Sequence, residues 1–141
     1  MNKFAFAALA GLFFLLLAMG TCSFFIRQTQ EDIEREKPEI ESAGKDFGAS
    51  TDELGCVKAA AARIGKNESI KGAAFSAVFL DGCLKTCVAT PGFCDDVPKW
   101  KDRFKSGAWA QAVCNEFGQS SNYCRKVMEQ IPQYCDRTHY R

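Results

Sequence analysis

Eight cysteines carry the most reactive side chains of this 141-residue sequence. Seven of them fall within an 80-residue stretch, and in an exported chain that density is typical of a disulfide framework in a small domain. The alternative for some of them is an ordinary buried thiol, since free cysteine packs like a small hydrophobic residue. We therefore predict disulfides among these seven residues: Cys56, Cys83, Cys87, Cys94, Cys114, Cys124 and Cys135.

Spacing favours one particular pairing. Cys87 and Cys94 flank a Pro–Gly turn predicted at 90–93, so a bridge between them closes only a short loop and is our best prediction. Cys83 lies four residues before Cys87 on the same helix face, and the two are expected to bond to different partners. Because seven is an odd number, one thiol is left over. Either the body keeps a free thiol, or Cys22 forms an intermolecular bond in a homodimer or carries a lipid.

The cysteines also allow a second hypothesis, a thiol-redox or metal-handling protein. Dithiol oxidoreductases use a two-residue gap at a helix N-terminus, where the thiolate is favoured. Cys83 and Cys87 have a three-residue gap at a predicted helix C-terminus, where the helix dipole disfavours thiolate. A soft-metal site would add Cys94, but the single histidine, His139, lies in the C-terminal tail. We expect no metal and no cofactor.

Hydrolytic catalysis lacks a recognisable set of residues in this sequence. There is no nucleophile elbow, no phosphate-binding glycine loop and no metalloprotease helix, and no histidine outside the tail to serve as a base. The adjacent carboxylates Asp95 and Asp96 are interpreted as helix caps. We expect no enzymatic activity.

Basic and aromatic residues are interleaved over 99–109, and such a segment can bind phosphate, polysaccharide or lipid headgroups as an anion-binding face. The simpler interpretation is an amphipathic helix with a solvated basic face and a buried aromatic face. No nucleic-acid-binding motif is present, so no nucleic acid is expected as a partner. The residues of this basic segment are Lys99, Trp100, Lys101, Arg103 and Lys105, with Phe104 and Trp109 beside them.

An uncharged apolar run at 4–26 is long enough to cross a bilayer as a helix. Lys3 before it and Arg27 after it give a weak charge bias toward a cytoplasmic N-terminus and a periplasmic or extracellular body. We expect a retained single-pass anchor in the lipid bilayer. The alternatives are a secretory signal cleaved after 18–20, which would release a secreted body, and a lipid at Cys22. All three export the chain.

Charge divides the rest of the chain into two parts. Residues 27–54 hold four Lys/Arg and nine Asp/Glu, a net −5, and residues 55–141 hold thirteen and eight, a net +5. We interpret 27–49 as an acidic stalk, whose helix breaks at Pro38 and gives way to a flexible linker over 42–48.

Helical periodicity predicts four to five short helices after residue 50 and no strand, hence an all-α bundle stapled by disulfides. The first helix is expected to start at a capping box formed by Ser50 and Glu53 and to bury Leu54. The second, at 68–87, is expected to be capped by Asn67. It is apolar around most of its circumference and should form the centre of the core.

The later helices are predicted less uniformly. Residues 95–106 fit a helix start near Pro98 better than a strand, which would bury an aspartate. A helix at 108–117 should turn Trp109 and Phe117 inward, and Pro132 should kink or end the last helix.

Three parts follow: an anchor or signal at 1–26, an acidic stalk at 27–49 and a cysteine-rich helical domain at 50–141. The expected role is a membrane-anchored extracytoplasmic interaction module or accessory subunit that binds another membrane or extracytoplasmic protein, without catalysis of its own. The alternatives are the thiol-redox or metal-handling protein and a binder of anionic surfaces that uses 99–109.

Overall fold

A computed structural model describes residues 27–28 and 30–138, and the predicted leader at 1–26, with Cys22, and the tail residue His139 lie outside them. The chain divides into two compact units, Met1–Arg35 and Glu36–Arg141. In the part that the structure describes, the all-α prediction is confirmed, since the only extended pairing is one isolated β-bridge. No helix among the described residues is long and apolar enough to span a bilayer.

Six helices are described, five of them after residue 50, where four to five were predicted. They are α1 (30–48), α2 (Glu53–Lys66), α3 (Ile70–Thr86), α4 (Arg103–Glu116), α5 (Asn122–Met128) and α6 (Gln130–Thr138).

Residues 30–48 are helical throughout, so the predicted break at Pro38 and the flexible linker at 42–48 are wrong. Within the second unit, residues 36–48 lie along α3. A Cβ added at Gly44 would overlap the carbonyl oxygen of Phe79, and one at Gly48 would overlap that of Cys83. The two glycines are therefore points of close backbone approach in a helix seam. A proline inside a helix costs about 3 kcal/mol, and the packing of 36–48 on α3 offsets that cost.

Ion pairs run along the same α1–α3 seam. The Lys71 Nζ lies 2.9 Å from a carboxylate oxygen of Glu36, and the Lys85 Nζ lies 3.1 Å from one of Glu41. The Thr86 hydroxyl donates to the carbonyl oxygen of Lys45 at 2.7 Å. Two acidic residues of the predicted stalk, Glu36 and Glu41, therefore pair with basic residues of α3.

Helix α2 begins differently from the prediction. Asp52 caps it by accepting a hydrogen bond from the backbone N–H of Gly55 at 2.8 Å, whereas the Ser50 hydroxyl donates to the Phe47 carbonyl. The predicted capping box is wrong because Glu53 turns inward, with 4% of its surface exposed. The helix is rotated so that Leu54 is 58% exposed, and the buried stripe consists of Cys56, Val57, Ala60, Ala61 and Ile64.

Helix α3 is the centre of the core, as predicted. It contacts α2, α5 and α6, and its other side meets residues 36–48. Its cap is Ser69, which accepts from the backbone N–H of Gly72 at 2.9 Å, and not Asn67, which ends α2.

The segment 87–102 is neither helix nor strand, which corrects the helix predicted from residue 95. Its turn at 90–93 is confirmed, with the Phe93 N–H bonded to the Thr90 carbonyl at 3.1 Å and Gly92 at φ 78°. Helix α4 starts only at Arg103, because Asp102 provides the cap. Before that cap, the backbone N–H of Trp100 donates to Asp136 of α6, which replaces a helical partner.

The end of α4 follows the prediction, with Gly118 at φ 69°. Its inward face does not, since Ser106, Ala110 and Cys114 are buried while Trp109 is half-buried and Phe117 is exposed. Small residues face the core because α4 packs closely on α5, to which a disulfide joins it.

The helix after Ser121 is divided at Glu129, one turn before Pro132. Pro132 lies in the first turn of α6, where a missing N–H costs no intrahelical hydrogen bond. The proline thus breaks the helix on its N-terminal side.

Three disulfides staple the bundle: Cys56–Cys83, Cys94–Cys135 and Cys114–Cys124, with Cα–Cα distances of 5.8, 5.6 and 6.0 Å. The predicted Cys87–Cys94 pair is wrong, because α6 brings Cys135 to Cys94 while the Cys87 thiol lies toward the Leu84 carbonyl oxygen. Among the described cysteines, the thiol left over by parity is Cys87.

Candidate functional site

A buried carboxylate joins three separate parts of the second unit. Glu53, the first residue of α2, accepts hydrogen bonds from the backbone N–H of Thr90 and from the Tyr134 hydroxyl at 2.9 Å. The N-terminal end of a helix favours negative charge there. Burial, and then the hydrogen bond to Glu53, raise the pKa of Tyr134 well above its ordinary value. The phenol therefore stays protonated and holds α6 to α2.

Beside this network lies a cavity of about 710 Å³, which we name the thiol groove. Acidic and basic side chains both line it. Asp81 pairs with Lys85 at 2.7 Å and with Arg137 at 3.4 Å. The residues that line it are Asp81, Leu84, Lys85, Cys87, Tyr134, Asp136, Arg137 and Thr138.

The chemistry of Cys87 is that of a protonated thiol. Burial raises its pKa first, and the negative charge of Glu53 raises it further. Cys87 also ends α3, where the helix dipole opposes a thiolate. Nucleophilic cysteines have a lowered pKa. Among the described residues, no group of three or more His, Cys, Asp or Glu is arranged to hold a metal ion.

A second cavity, of about 380 Å³, is largely apolar, and we name it the apolar groove. Helices α2 and α4, the turn at 90–93 and the start of α6 each contribute to it. Its lining residues are Leu54, Val57, Thr90, Pro91, Gly92, Phe93, Trp109, Val113, Glu116, Phe117 and Ile131.

The apolar groove has exposed apolar residues and two unused polar groups. Leu54 is 58% exposed and Phe117 is 37% exposed, although both are large apolar side chains. The Thr90 hydroxyl is buried and has no hydrogen-bond partner among the described residues. Glu116, which also lines the groove, forms no ion pair with any residue that the structure describes. Phe93, edge-on to the Tyr134 ring at 6.3 Å, ties the groove to the Glu53 network.

The predicted basic segment does not form one face. Lys99 and Lys101 precede α4, whereas Arg103 and Lys105 belong to its first turn. The Arg103 guanidinium lies 3.8 Å from the centroid of the Trp100 ring. Lys105 pairs at 3.3 Å with Asp102, whose pKa is lowered mainly by the hydrogen bond from the backbone N–H of Lys105.

The aromatic residues beside that segment also separate. Trp109 lines the apolar groove, but Phe104 is 87% exposed, so a continuous buried aromatic face is not formed. A third cavity, of about 320 Å³, lies next to Phe104, and we name it the arginine groove. It is lined by Arg103, Phe104, Gly107, Ala108, Gln111 and Arg125.

Three of these features escaped sequence reasoning. Glu53 was assigned to a capping box and Leu54 to the core, since helical spacing gives the period of a helix but not its rotation about its axis. Arg125 comes from α5, and no pattern within 99–109 points to it. The sequence offers only a weak signal that Glu53 is buried, namely a carboxylate at the first position of the helix.

Comparison with known proteins found no matching family model, no matching curated protein and no matching solved structure.

Proposed function

We propose that this protein is a membrane-anchored extracytoplasmic interaction module that binds a partner protein through the apolar groove and catalyses no reaction itself. The observation that supports this is the exposure of Leu54 and Phe117 at the mouth of a preformed concave site. Preformed apolar concavities with a few polar groups are the usual form of binding sites.

The chemistry of the groove describes its partner. The cavity accommodates one or two large apolar side chains, and burying a side chain such as Leu54 or Phe117 contributes up to about 1.5–3 kcal/mol. A donor on the partner would satisfy the Thr90 hydroxyl, and a Lys or Arg would pair with Glu116. The expected partner segment therefore has apolar anchors and a basic residue beside them.

The disulfides support an extracytoplasmic compartment. Three disulfides among the described residues are typical of proteins that mature in an oxidising compartment outside the cytosol. The apolar run at 4–26 supports a single-pass anchor in that setting, with a cleaved signal or a lipid at Cys22 as the alternatives. The Cys56–Cys83 and Cys114–Cys124 disulfides join α2 and α4, two helices that line the groove, to their neighbours, and such restraint would lower the entropy cost of binding.

A photo-crosslinking amino acid at Leu54, introduced into the full chain in its native membranes, tests the proposal. We expect a discrete crosslinked product that disappears when Phe117→Asp is added. The matched control is the same crosslinker at Ile70, which is exposed and lies outside the groove. Equal crosslinking from both positions, or persistence of the product with Phe117→Asp, would contradict the proposal.

The mass of the crosslinked product separates two kinds of partner. A product of twice the chain mass would assign the groove to self-association, with or without a disulfide through Cys22. A different mass would identify another membrane or extracytoplasmic protein, which mass spectrometry can name.

A further inference from the structure

The arginine groove lies between α4 and α5, and each helix contributes one arginine to it. Arg103, Gly107 and Gln111 recur every four residues on one face of α4, and Arg125 approaches from α5. A Cβ added at Gly107 would lie 3.9 Å from Arg125 Nη1. The small residues Gly107 and Ala108 thus leave open the space between the two guanidinium groups.

Arg125 lines this groove, and its guanidinium group is incompletely hydrogen-bonded among the described residues. Its Nε is buried and forms no hydrogen bond within the described part of the chain, although it forms an i,i+4 ion pair with the Glu129 carboxylate at 4.0 Å. At 4.0 Å the ion pair with Glu129 supplies no hydrogen bond, so the other N–H groups of the guanidinium would gain from an oxygen-bearing anion in the groove.

Arg103 is held in place without its hydrogen-bonding capacity being used. Its guanidinium stacks over the Trp100 ring at 3.8 Å, a contact that uses the face of the group and leaves its in-plane N–H donors available. No carboxylate of the described residues pairs with Arg103. Two guanidinium groups facing one small cavity suit the several oxygens of a phosphate.

Phe104 provides the second half of a membrane contact. Its side chain is 87% exposed, the most of any large apolar residue in the described chain, and it stands between Arg103 and Lys105 with Lys101 nearby in sequence. An exposed aromatic ring surrounded by cations is the combination that lies at the boundary between headgroups and acyl chains.

We infer that the arginine groove binds the phosphate of an anionic phospholipid, with Arg103 and Arg125 as the phosphate ligands and Phe104 inserted at the acyl boundary. This inference rests on the proposed location at a membrane surface. It gives the domain a second, non-covalent contact with the bilayer, on a surface different from the apolar groove.

The test uses the full chain in vesicles that contain brominated phospholipid, with Phe104→Trp as the reporter. The signal is the quenching of the Trp variant minus that of the otherwise identical Phe104 protein. We expect quenching in vesicles with anionic phospholipid, little in purely zwitterionic vesicles, and a steep decline as salt is raised. Each removed positive charge should weaken docking by about fivefold.

Arg103→Gln with Arg125→Gln should therefore reduce quenching strongly, whereas Lys58→Gln with Lys66→Gln on the exposed side of α2 should leave it unchanged. Equal quenching in zwitterionic and anionic vesicles, or no effect of the arginine substitutions, would overturn the inference. So would competition by millimolar inorganic phosphate at constant ionic strength, which would assign the groove to free phosphate.

Flotation of the same vesicles keeps the two proposals apart. If the chain floats but the reporter is silent, the lipid inference fails and the anchor at 4–26 stands. If the chain does not float, the proposed anchor fails as well. Crosslinking from Leu54 reports separately on the apolar groove.

Discussion

The α1–α3 seam and the segment 87–102 are held in the fold by different means. In the seam, two regular helices satisfy their own backbone hydrogen bonds, and Gly44 and Gly48 let the helices approach closely. The segment 87–102 has only isolated turn hydrogen bonds of its own, such as that from the Phe93 N–H to the Thr90 carbonyl. It is tied by the Cys94–Cys135 disulfide, by Glu53 to Thr90 and by Asp136 to Trp100.

The difference has a general cause. Buried backbone groups must find hydrogen-bond partners, and a helix supplies them in a regular local series, while a loop makes a few local turn bonds and must obtain the rest from distant residues. We therefore expect the seam to respond to changes in volume and the segment to respond to the loss of single long-range ties.

The largest effect is expected from removing the Cys94–Cys135 disulfide with a paired change to alanine. The bridge spans a sequence separation of 41, and a loop of that size contributes about 4 kcal/mol by restricting the unfolded chain. The matched control is the Cys114–Cys124 pair, whose separation of 10 predicts about 3 kcal/mol. Urea unfolding of both variants measures the difference, and a greater loss from the shorter loop would contradict the ranking.

The next largest effect concerns the hydrogen bond between Glu53 and Tyr134. Glu53→Gln and Tyr134→Phe should each lower the free energy of unfolding by about 2 kcal/mol, because each leaves a buried group without its partner. A double-mutant cycle measures the coupling, and we expect the double variant to lose less than the sum of the two single losses. Additive losses would show that the hydrogen bond itself contributes nothing.

In the seam, Gly44→Ala should destabilise the protein by about 1–2 kcal/mol, because a Cβ there overlaps the Phe79 carbonyl. The cost of that overlap outweighs the gain in helix propensity. Gly107→Ala is the control. Gly107 is also inside a helix, but a Cβ there would lie 3.9 Å from its nearest neighbour, Arg125 Nη1. The substitution should therefore stabilise the protein by up to about 1 kcal/mol. Thermal unfolding of both variants checks the opposite signs.

The smallest effect is the pH dependence of the ion pairs on the seam. Hydrogen bonds from Lys45 and then Lys85 lower the pKa of Glu41 from 4.5 to about 2. The stabilisation by this carboxylate is therefore full above pH 4.5 and is lost as the pH falls toward about 2. The difference in urea midpoint between wild type and Glu41→Gln should shrink over that range, and a constant difference would contradict this account.

Much of the fold could be predicted because it is encoded locally. The apolar circumference of 68–87 marked the central helix, the Pro–Gly pair marked the turn at 90–93, and Gly118 marked the end of α4. Each signal depends on backbone preferences that act over a few residues. The odd number of body cysteines likewise indicated a leftover thiol.

The disulfide partners, by contrast, were decided by tertiary structure. Cys87 and Cys94 are near in sequence, but a bridge forms where packing brings two Cβ atoms together, and α6 presents Cys135 to Cys94. The rotation of α2, which buries Glu53 and exposes Leu54, was fixed in the same way by its neighbours.

The sequence by itself determined that the described part of the chain is helical, where the turn at 90–93 and the end of α4 lie, and that the body holds an odd number of cysteines. Only the tertiary structure decided that Pro38 lies within a helix, which residues close the three bridges, and which apolar and basic side chains line the grooves. The physical reason is range. Backbone propensity acts within one or two turns of helix, whereas the orientation of a helix face is settled by contacts between residues far apart in the chain.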